Sequence, residues 1–283
     1  MASFTNFATL SYNGGTTNSN IVTGEILEAL TAVKTAVSAN YSAGDRITYA
    51  LSLVNTGTAA ITDYTVTDNL GGYTVGANTV YPLAYNAGTV RYYINGVLQT
   101  APTVTAGPPL TVTGLTVPAG GNAVLIYETT ATPVAPLATG SSITNTATIT
   151  GAGLTNPITA QATVETANSA DLTISKALSP TTVTENGQIT YTFVISNTGN
   201  TEATATGNVV VTDTFAPILR NIAVTYNGTA WTEGTNYTYN AATGVFTTLA
   251  GQITVPAASF TQNTDGTFTV TPGTATLVIT GTV

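Results

Sequence analysis

The stretch RITYALSLVNTG at residues 46–57 alternates apolar and polar side chains and ends on an Asn-Thr-Gly turn. It recurs as QITYTFVISNTG at residues 188–199, which places Tyr49 and Tyr191 142 positions apart. An alternation with period two that is rich in Ile, Thr, Tyr and Val is typical of a β-strand with one buried face. The chain therefore contains two copies of one β-rich unit.

Short alternating runs of the same kind fill almost the whole sequence and are separated by turn sequences such as Asn-Gly and Pro-Gly. This pattern is typical of a β-sandwich. With 283 residues, the chain is long enough for two domains that each bury a core. The predicted fold class is all-β, with two tandem immunoglobulin-like Greek-key sandwiches.

The composition argues against several classes of function. Histidine and cysteine are absent, which removes the commonest general base, the commonest metal ligands and every thiol nucleophile, so we expect no cofactor and no metal. The net charge of −8 argues against nucleic acid and anionic membranes as partners. Only 6% of the residues are charged, a surface that suits packing against copies of itself. We expect a homopolymer that takes no small-molecule substrate.

The two copies end differently. In the first copy, the strand-like run at residues 123–128 is followed by two more, at residues 142–150 and 158–164. The second copy stops at residues 277–283 and has no equivalent of those last two runs. The second sandwich is therefore expected to lack its closing strands.

A copy of the missing strands lies at the N-terminus. Residues 3–10, SFTNFATL, match residues 142–149, SITNTATI, at a constant offset of 139 with five identities in eight positions. An unfinished sandwich exposes an apolar groove and unpaired strand edges, which a strand from another molecule can cover. The N-terminal segment is therefore a candidate donor.

Two divisions of the chain are compatible with this repeat. In the first, residues 1–26 are donor strands, residues 27–165 form a complete domain and residues 166–283 form a domain that a neighbouring subunit must close. In the alternative, each closing-strand segment opens its own domain, giving complete domains at 1–139 and 140–283.

Four motifs of the second copy favour the first division. They are DLTISK at residues 171–176, GQITY at 187–191, NTG at 197–199 and VTDT at 211–214. Together they resemble the conserved-repeat domain of unknown function found in bacterial surface proteins. In that family the domain begins at the equivalent of Asp171 and ends after a motif similar to TNTAT at residues 144–148, which implies the boundaries 27–165 and 166–283.

The position of the donor determines which domain it closes. Residues 3–26 precede the first domain by one short linker, as residues 140–165 precede the second. This is too short a connection to reach the far end of the second domain of the same chain, so the strands enter another subunit. A head-to-tail contact that does not close into a ring builds a fibre.

Polar residues interrupt several apolar faces at repeat-equivalent positions. The only two lysines, Lys34 and Lys176, both lie in phase with the apolar side of a predicted strand. Two aspartates and two asparagines do the same, so each completed domain is expected to bury one Lys, one Asp and one Asn. A buried lysine is costly unless it is paired, and its pKa falls in apolar surroundings. The acids and amides are Asp68, Asp213, Asn145 and Asn6, and Asn6 belongs to the donor strand Phe4, Asn6, Ala8 and Leu10.

Two interpretations of these residues remain open. One is a buried ion pair capped by an amide. The other is an isopeptide bond, in which a neutral lysine attacks the asparagine amide, a protonated aspartic acid polarises its carbonyl and ammonia leaves. The triad resembles the isopeptide-forming pilin domains of Gram-positive bacteria, which implies a bond within the first domain and another between subunits. The implied sets are Lys34, Asp68 and Asn145, and Lys176, Asp213 and Asn6 of the next subunit.

The sequence therefore predicts a structural fibre subunit and not an enzyme. The alternatives are a surface adhesin or cell-wall binding module, and a hydrolase with an unrecognised carboxylate pair. The start of the chain has no basic segment followed by an apolar run, so no secretory signal is expected. Two-domain proteins of this kind resemble the appendage subunits of clostridial spores, which implies an extracellular or spore-surface location.

Overall fold

The computed structural model describes residues 2–26, 29–151 and 154–283. These residues form antiparallel β-strands and one 3-10 turn, Ala205–Gly207. Contacts divide the chain into two compact units, which we call unit 1 and unit 2. Unit 1 comprises Met1–Pro136 and Ser142–Glu165, and unit 2 comprises Leu137–Ser141 and Thr166–Val283.

Residues 1–26, which we call the arm, contribute four strands: β1 (Ala2–Asn6), β2 (Thr9–Tyr12), β3 (Gly15–Asn18) and β4 (Val22–Ile26). β1 pairs with β4, and β2 pairs with β3, in two short antiparallel ladders. Every side chain from residue 4 to residue 23 is exposed. The arm therefore contributes little to the core of unit 1.

The rest of unit 1 contains fourteen strands. They are β5 (Leu30–Ala36), β6 (Asn40–Tyr41), β7 (Arg46–Asn55), β8 (Ile61–Asp68), β9 (Tyr73–Val75), β10 (Asn78–Val80), β11 (Leu83–Tyr85), β12 (Arg91–Ile94), β13 (Val97–Leu98), β14 (Thr103–Thr105), β15 (Leu110–Val117), β16 (Asn122–Ala131), β17 (Ser142–Thr150) and β18 (Ile158–Thr166). One sheet has the order β13-β12-β16-β7-β5, with β11 also on β16, and the other has the order β14-β15-β8-β17-β18-β6.

The core of unit 1 follows from the alternation in the sequence. In β7 every second side chain is buried, and Ile47, Tyr49, Leu51 and Leu53 are at most 1% exposed. The closing strands contribute in the same way, because Ile143, Ala147 and Ile149 of β17 are buried. β17 pairs with β8, so residues 142–150 complete the first sandwich.

Unit 2 contains ten strands. They are β19 (Leu172–Ser179), β20 (Gln188–Asn197), β21 (Thr212–Thr214), β22 (Arg220–Tyr226), β23 (Thr229–Trp231), β24 (Tyr237–Asn240), β25 (Val245–Thr248), β26 (Ser259–Gln262), β27 (Phe268–Thr271) and β28 (Gly273–Thr282). One sheet has the order β19-β20-β28-β22-β23 and repeats β5-β7-β16-β12-β13 of unit 1. The other strands form the ladders β21-β25-β24 and β26-β27.

The second sheets of the two units differ at one edge. In unit 1, the eight-residue strand β8 lies between β15 and β17. In unit 2, its equivalent β21 has three residues and pairs with β25, and no strand of the described chain occupies its other edge. The hydrogen-bonding edge that β17 covers in unit 1 is therefore open in unit 2.

The predicted all-β fold with two tandem sandwiches is confirmed, and closure of the second by a neighbour's strands stays a prediction. Residues 137–141 group with unit 2 in the contacts of the chain. The Asn200 Nδ2 atom donates to the Leu137 carbonyl oxygen at 3.0 Å, and the Thr139 hydroxyl donates to the Asn200 carbonyl oxygen at 2.7 Å. These bonds fasten the segment before β17 to the second unit.

Candidate functional site

Lys34 and Asp68 form a buried ion pair inside unit 1. The Lys34 Nζ atom lies 2.5 Å from Asp68 Oδ2, and the two side chains are 0% and 1% exposed. The Tyr127 hydroxyl donates to the same carboxylate oxygen, and the backbone N–H of Leu70 donates to Asp68 Oδ1 at 2.9 Å. The carboxylate is thus held by three donors and cannot turn freely.

The surroundings of Lys34 make its neutral form easier to reach than that of an exposed lysine. Burial lowers the pKa of the Lys34 ammonium to about 8, and the charge and hydrogen bond of Asp68 offset part of that effect. The Nζ atom also lies 4.9 Å from the ring centroid of Tyr49 and 5.8 Å from that of Tyr127. A neutral amine is a nucleophile, so Lys34 has the chemistry that an isopeptide reaction needs.

Asn145 lies in the same sheet as Asp68 and faces Lys34 from the opposite side of the sandwich. It lies in β17, two residues before Ala147, which pairs with Asp68, so its side chain points to the same inner face. Lys34 pairs with Leu51 in the other sheet. The lysine therefore reaches across the sandwich towards an acid and an amide on neighbouring strands, and one unit brings together all three residues of the first predicted set.

The carboxamide of Asn145 is 0% exposed, and neither Oδ1 nor Nδ2 has a hydrogen-bond partner within the described residues. The hydroxyl of Tyr49 is buried and unpartnered in the same sense. Each such group costs about 1–3 kcal/mol of stability. Burial and the negative charge of Asp68 raise the pKa of Tyr49, and the Asn145 amide offsets part of that rise.

Tyr49 and Tyr127 were not among the predicted site residues. A signal for Tyr49 was present in the sequence, because it recurs as Tyr191 within the repeat that identifies the fold. Tyr127 does not recur in the repeat. It pairs with Tyr49 in unit 1, whereas the equivalent partner of Tyr191 in unit 2 is Ile279.

Unit 2 contains an equivalent but open half-site. The Lys176 Nζ atom lies 2.5 Å from Asp213 Oδ2, the same distance as in unit 1, although the side chains are 41% and 17% exposed. The ammonium also lies 4.5 Å from the ring centroid of Tyr191 and 5.4 Å from that of Phe193. The lysine and the acid are therefore in place, and the strands that cover them in unit 1 have no counterpart in the described part of unit 2.

An apolar groove runs along β19 on both sides of Lys176. Ile174 and Leu178, two residues before and after the lysine, are 55% and 39% exposed. One hollow beside the lysine is lined by Leu172, Ile174, Ile195 and Val209 to Val211, and another by Leu178, Val183, Ile189, Tyr191 and Val283. The missing closing strands of unit 2 therefore leave apolar surface open to solvent around a pair of charged groups.

The arm has the register of the strands that close unit 1. Ser142 pairs with Glu165 in the closing strands, and Ser3 pairs with Glu25 in the arm. Further along, Asn145 pairs with Ala162 in the same way as Asn6 pairs with Val22. β1 and β4 therefore reproduce the first half of β17 and the second half of β18, including the position of the asparagine.

The outer face of the arm is apolar. Phe4 and Leu10 are 52% and 63% exposed, although their equivalents Ile143 and Ile149 are at most 2% exposed. Phe4 lies over Gly24, and a Cβ atom on that glycine would come 2.4 Å from the Phe4 Cζ atom. The absence of a side chain at Gly24 therefore gives the phenylalanine ring its position.

The arm departs from the closing strands after Asn6. β17 is one continuous strand, whereas β1 ends at Asn6 and β2 begins at Thr9. The Ala8 backbone N–H donates to the Ser19 hydroxyl at 2.8 Å, and the ladder register shifts by one residue there. β17 has a neighbour on each side, and the single-chain arm has no second neighbour to keep it straight. The donor face of Phe4, Asn6, Ala8 and Leu10 is therefore bent in the arm.

Two classes of site are absent from the residues that the structure describes. No group of three or more acidic, histidine or cysteine side chains has the arrangement of a metal site. No helix among these residues is long and apolar enough to cross a membrane.

Comparisons with known proteins return solved structures alone. No family model matches the sequence, and no curated protein matches it. The resemblance to the conserved-repeat family therefore stays a prediction.

Three solved structures illustrate the similarity. A variant of the major pilin subunit of Bacillus cereus is 14% identical, with a TM-score of 0.39 over 95% of this chain and 73% of that one. The pilus backbone of Streptococcus pneumoniae is 13% identical, with a TM-score of 0.35 over 86% of this chain and 55% of that one.

The third is the N-terminal domain of a Streptococcus gordonii adhesin, which is 15% identical with a TM-score of 0.35 over 47% of this chain. This chain spans 31% of that adhesin domain and about half of the pneumococcal pilus backbone. Similarities of this size do not bear on function, which we infer below from the geometry.

Proposed function

We propose that this chain is a structural subunit of an extracellular or spore-surface fibre that polymerises head to tail by donor-strand complementation. The arm of one subunit fills the open edge of unit 2 in the next. The observation that supports this most strongly is that the arm pairs in the register of β17 and β18, whereas unit 2 has an open edge where those strands would lie.

The connection to the arm supports donation to another copy. β4 ends at Ile26 and β5 begins at Leu30, four residues later, so their Cα atoms lie at most about 14 Å apart. The arm therefore stays beside unit 1, whose own edge β17 already fills. Unit 2 of a second copy offers a vacant edge, at β21, that the arm can pair with.

Docking removes two liabilities at once. The arm and the groove each expose large apolar side chains, among them Phe4, Leu10, Ile174 and Leu178. Full burial of one such side chain contributes about 1.5–3 kcal/mol. The open edge of β21 gains a backbone partner, as β8 has in β17.

The buried polar sets support covalent closure of each sandwich. In unit 1, Lys34 passes its proton to Asp68, and its neutral Nζ atom forms a bond to Cγ of Asn145. The protonated carboxyl group polarises the amide carbonyl and gives its proton to Nδ2 as the Cγ–Nδ2 bond breaks. The carboxylate then accepts the second proton of Nζ, which leaves a secondary amide and a protonated Asp68. One amide replaces another and one ammonia leaves, so atoms and electrons balance without an oxidant.

The same reaction between subunits joins Lys176 to Asn6 of the docked arm with the help of Asp213. The half-site is exposed in the single chain, and docking buries it as β17 buries Lys34. Cross-linking therefore follows assembly. The competing interpretation is that both sets are ion pairs capped by an amide.

The decisive experiment is removal of the arm. A protein lacking residues 1–26 should remain monomeric in size-exclusion chromatography and form no fibres in negative-stain microscopy. A synthetic peptide of residues 1–26 should bind it and raise the unfolding temperature of unit 2. Fibres made by the truncated protein would rule out strand donation by the arm.

A further inference from the structure

Tyr49 has a buried hydroxyl group that no structural role accounts for. Its side chain is 0% exposed, and the hydroxyl makes no hydrogen bond to any residue that the structure describes. The carboxamide of Asn145 is in the same condition, and it lies on β17, which pairs with the strand that carries Asp68. Lys34 lies over the tyrosine ring. An unused O–H donor thus lies beside the lysine that is proposed to attack the Asn145 amide.

The attack creates a need for such a donor. When the Lys34 amine adds to Cγ of Asn145, negative charge develops on Oδ1 in a site without solvent, where an uncompensated charge is costly. Asp68 supplies one hydrogen bond through its acquired proton. The other carboxylate oxygen already accepts from the Leu70 N–H, so Asp68 offers no second donor.

The repeat identifies the tyrosine that both sites share. Tyr191 occupies the position of Tyr49 in unit 2, and Lys176 lies over its ring at 4.5 Å from the centroid. The phenol of Tyr127 is not shared, because Ile279 takes its place. The side chains common to both sites are therefore the lysine, the aspartate and this tyrosine.

We propose that the Tyr49 hydroxyl is a catalytic oxyanion donor in the reaction of Lys34 with Asn145, and that Tyr191 has the same role towards Asn6 of a docked arm. The hydroxyl donates a hydrogen bond to Oδ1 and keeps its proton throughout. The bond made is Nζ–Cγ, the bond broken is Cγ–Nδ2, and ammonia is the leaving group. This assignment rests on the isopeptide reaction proposed above.

The test compares rates of bond formation in full-length chains that all carry Asn6→Ala, so that only the internal bond forms. The protein is synthesised in a cell-free pulse, quenched at intervals in acid, and the fraction that has lost one ammonia is read by intact mass. Tyr49→Phe should form the bond about a hundredfold more slowly than the parent chain. Tyr64→Phe is the matched control, because Tyr64 is another buried tyrosine of unit 1 with an unpartnered hydroxyl. It should react at the parent rate.

Equal rates for Tyr49→Phe and the parent would overturn the oxyanion role and leave the isopeptide intact. A parent that never loses ammonia would overturn the isopeptide reaction and this role with it. Tyr191→Phe in otherwise unaltered chains gives a second measurement that is independent of the core of unit 1. Fibres of that variant should accumulate detergent-resistant ladders about a hundredfold more slowly, and an unchanged rate would again overturn the assignment.

Discussion

The carboxamide of Asn145 and the hydroxyl of Tyr49 are both buried around the Lys34–Asp68 pair, Asn145 on the strand beside Asp68 and Tyr49 with its ring at Lys34. Neither group has a hydrogen-bond partner in the described part of the chain. A protein rarely keeps two such groups together without a function for them. The isopeptide reaction would give both groups a role, whereas an ion pair alone would use neither of them.

Asn145→Ala should therefore lower the stability of unit 1 if the isopeptide exists. A cross-link that closes a loop of about a hundred residues stabilises by roughly 4–5 kcal/mol in the chain-entropy description used for disulfides. Calorimetry measures the loss, and the only tryptophan, Trp231 in β23, assigns the unit 2 transition by fluorescence.

If the set is a simple ion pair, Asn145→Ala should instead raise the stability of unit 1, because removing an unbonded buried amide relieves a desolvation cost of about 1–3 kcal/mol. Lys34→Met serves as the companion variant. Neither variant should lose the ammonia that the internal bond releases. Wild-type protein that also keeps its full calculated mass would show that the set is an ion pair.

The stability of unit 1 should depend on pH only when the Lys34 amine is free. In Asn145→Ala, burial lowers the pKa of Lys34 from 10.5 to about 8 in the folded state. Below pH 8 the lysine is charged in both states. Between about pH 8 and 10 the unfolded chain holds the extra proton, so the free energy of unfolding rises with pH, by at most roughly 3 kcal/mol.

The wild-type protein is the control for this profile. An amide nitrogen does not titrate, so wild type should lack the rise between pH 8 and 10. Above about pH 10 both proteins should lose stability, because burial raises the pKa of Tyr49 and Tyr127 and the unfolded tyrosines ionise first. A rise of equal size in wild type would show that its lysine is free.

The sequence predicted the fold well because alternation and repetition are local signals. The stretch at residues 46–57 contains β7, and its copy at residues 188–199 contains β20. Each strand ends at the asparagine of the Asn-Thr-Gly turn. The bend of the arm after Asn6 was not predictable, since it depends on the absence of a second neighbouring strand. The linkage of residues 137–141 to unit 2 depends on the side chain of Asn200, which no periodicity identifies.

The site was only partly predictable for a related reason. Phase within a strand shows that Lys34, Asp68 and Asn145 face inward, but it does not show which side chains meet across the two sheets. Tyr127 contacts Asp68 from β16, a pairing set by long-range packing. The exposure of Lys176 accompanies the open edge of β21, where the described chain places no strand.

The two faces of the arm should differ in their effect on assembly. Phe4 corresponds to the buried Ile143 and Thr5 to the exposed Thr144. Phe4→Ala removes about 3 kcal/mol or more of burial, so the critical concentration for fibre growth should rise roughly a hundredfold. Thr5→Ala should leave it within a few fold. Sedimentation of fibres at a series of protein concentrations measures both, and equal effects on the two faces would contradict docking by the Phe4 face.

The covalent link between subunits is tested by Asn6→Ala. Wild-type fibres boiled in detergent should give a ladder of oligomers or material that does not enter the gel, because Lys176 of one subunit is bonded to Asn6 of the next. Asn6→Ala should still assemble, since Phe4, Ala8 and Leu10 still fill the groove, and its fibres should dissolve to monomer.

Lys176→Met should abolish the ladder in the same way, because it removes the nucleophile from the other side of the junction. Lys34→Met is the matched control: it removes the other lysine, so the ladder should persist while each subunit loses only its internal bond. Mass spectrometry of a tryptic digest should find the peptide that joins Lys176 to Asn6 in wild-type fibres. The peptide should be missing from Asn6→Ala and Lys176→Met fibres. Wild-type fibres that dissolve to monomer of unmodified mass would exclude the link and leave strand donation standing, whereas a ladder that survives Asn6→Ala would place the bond on a different residue of the arm.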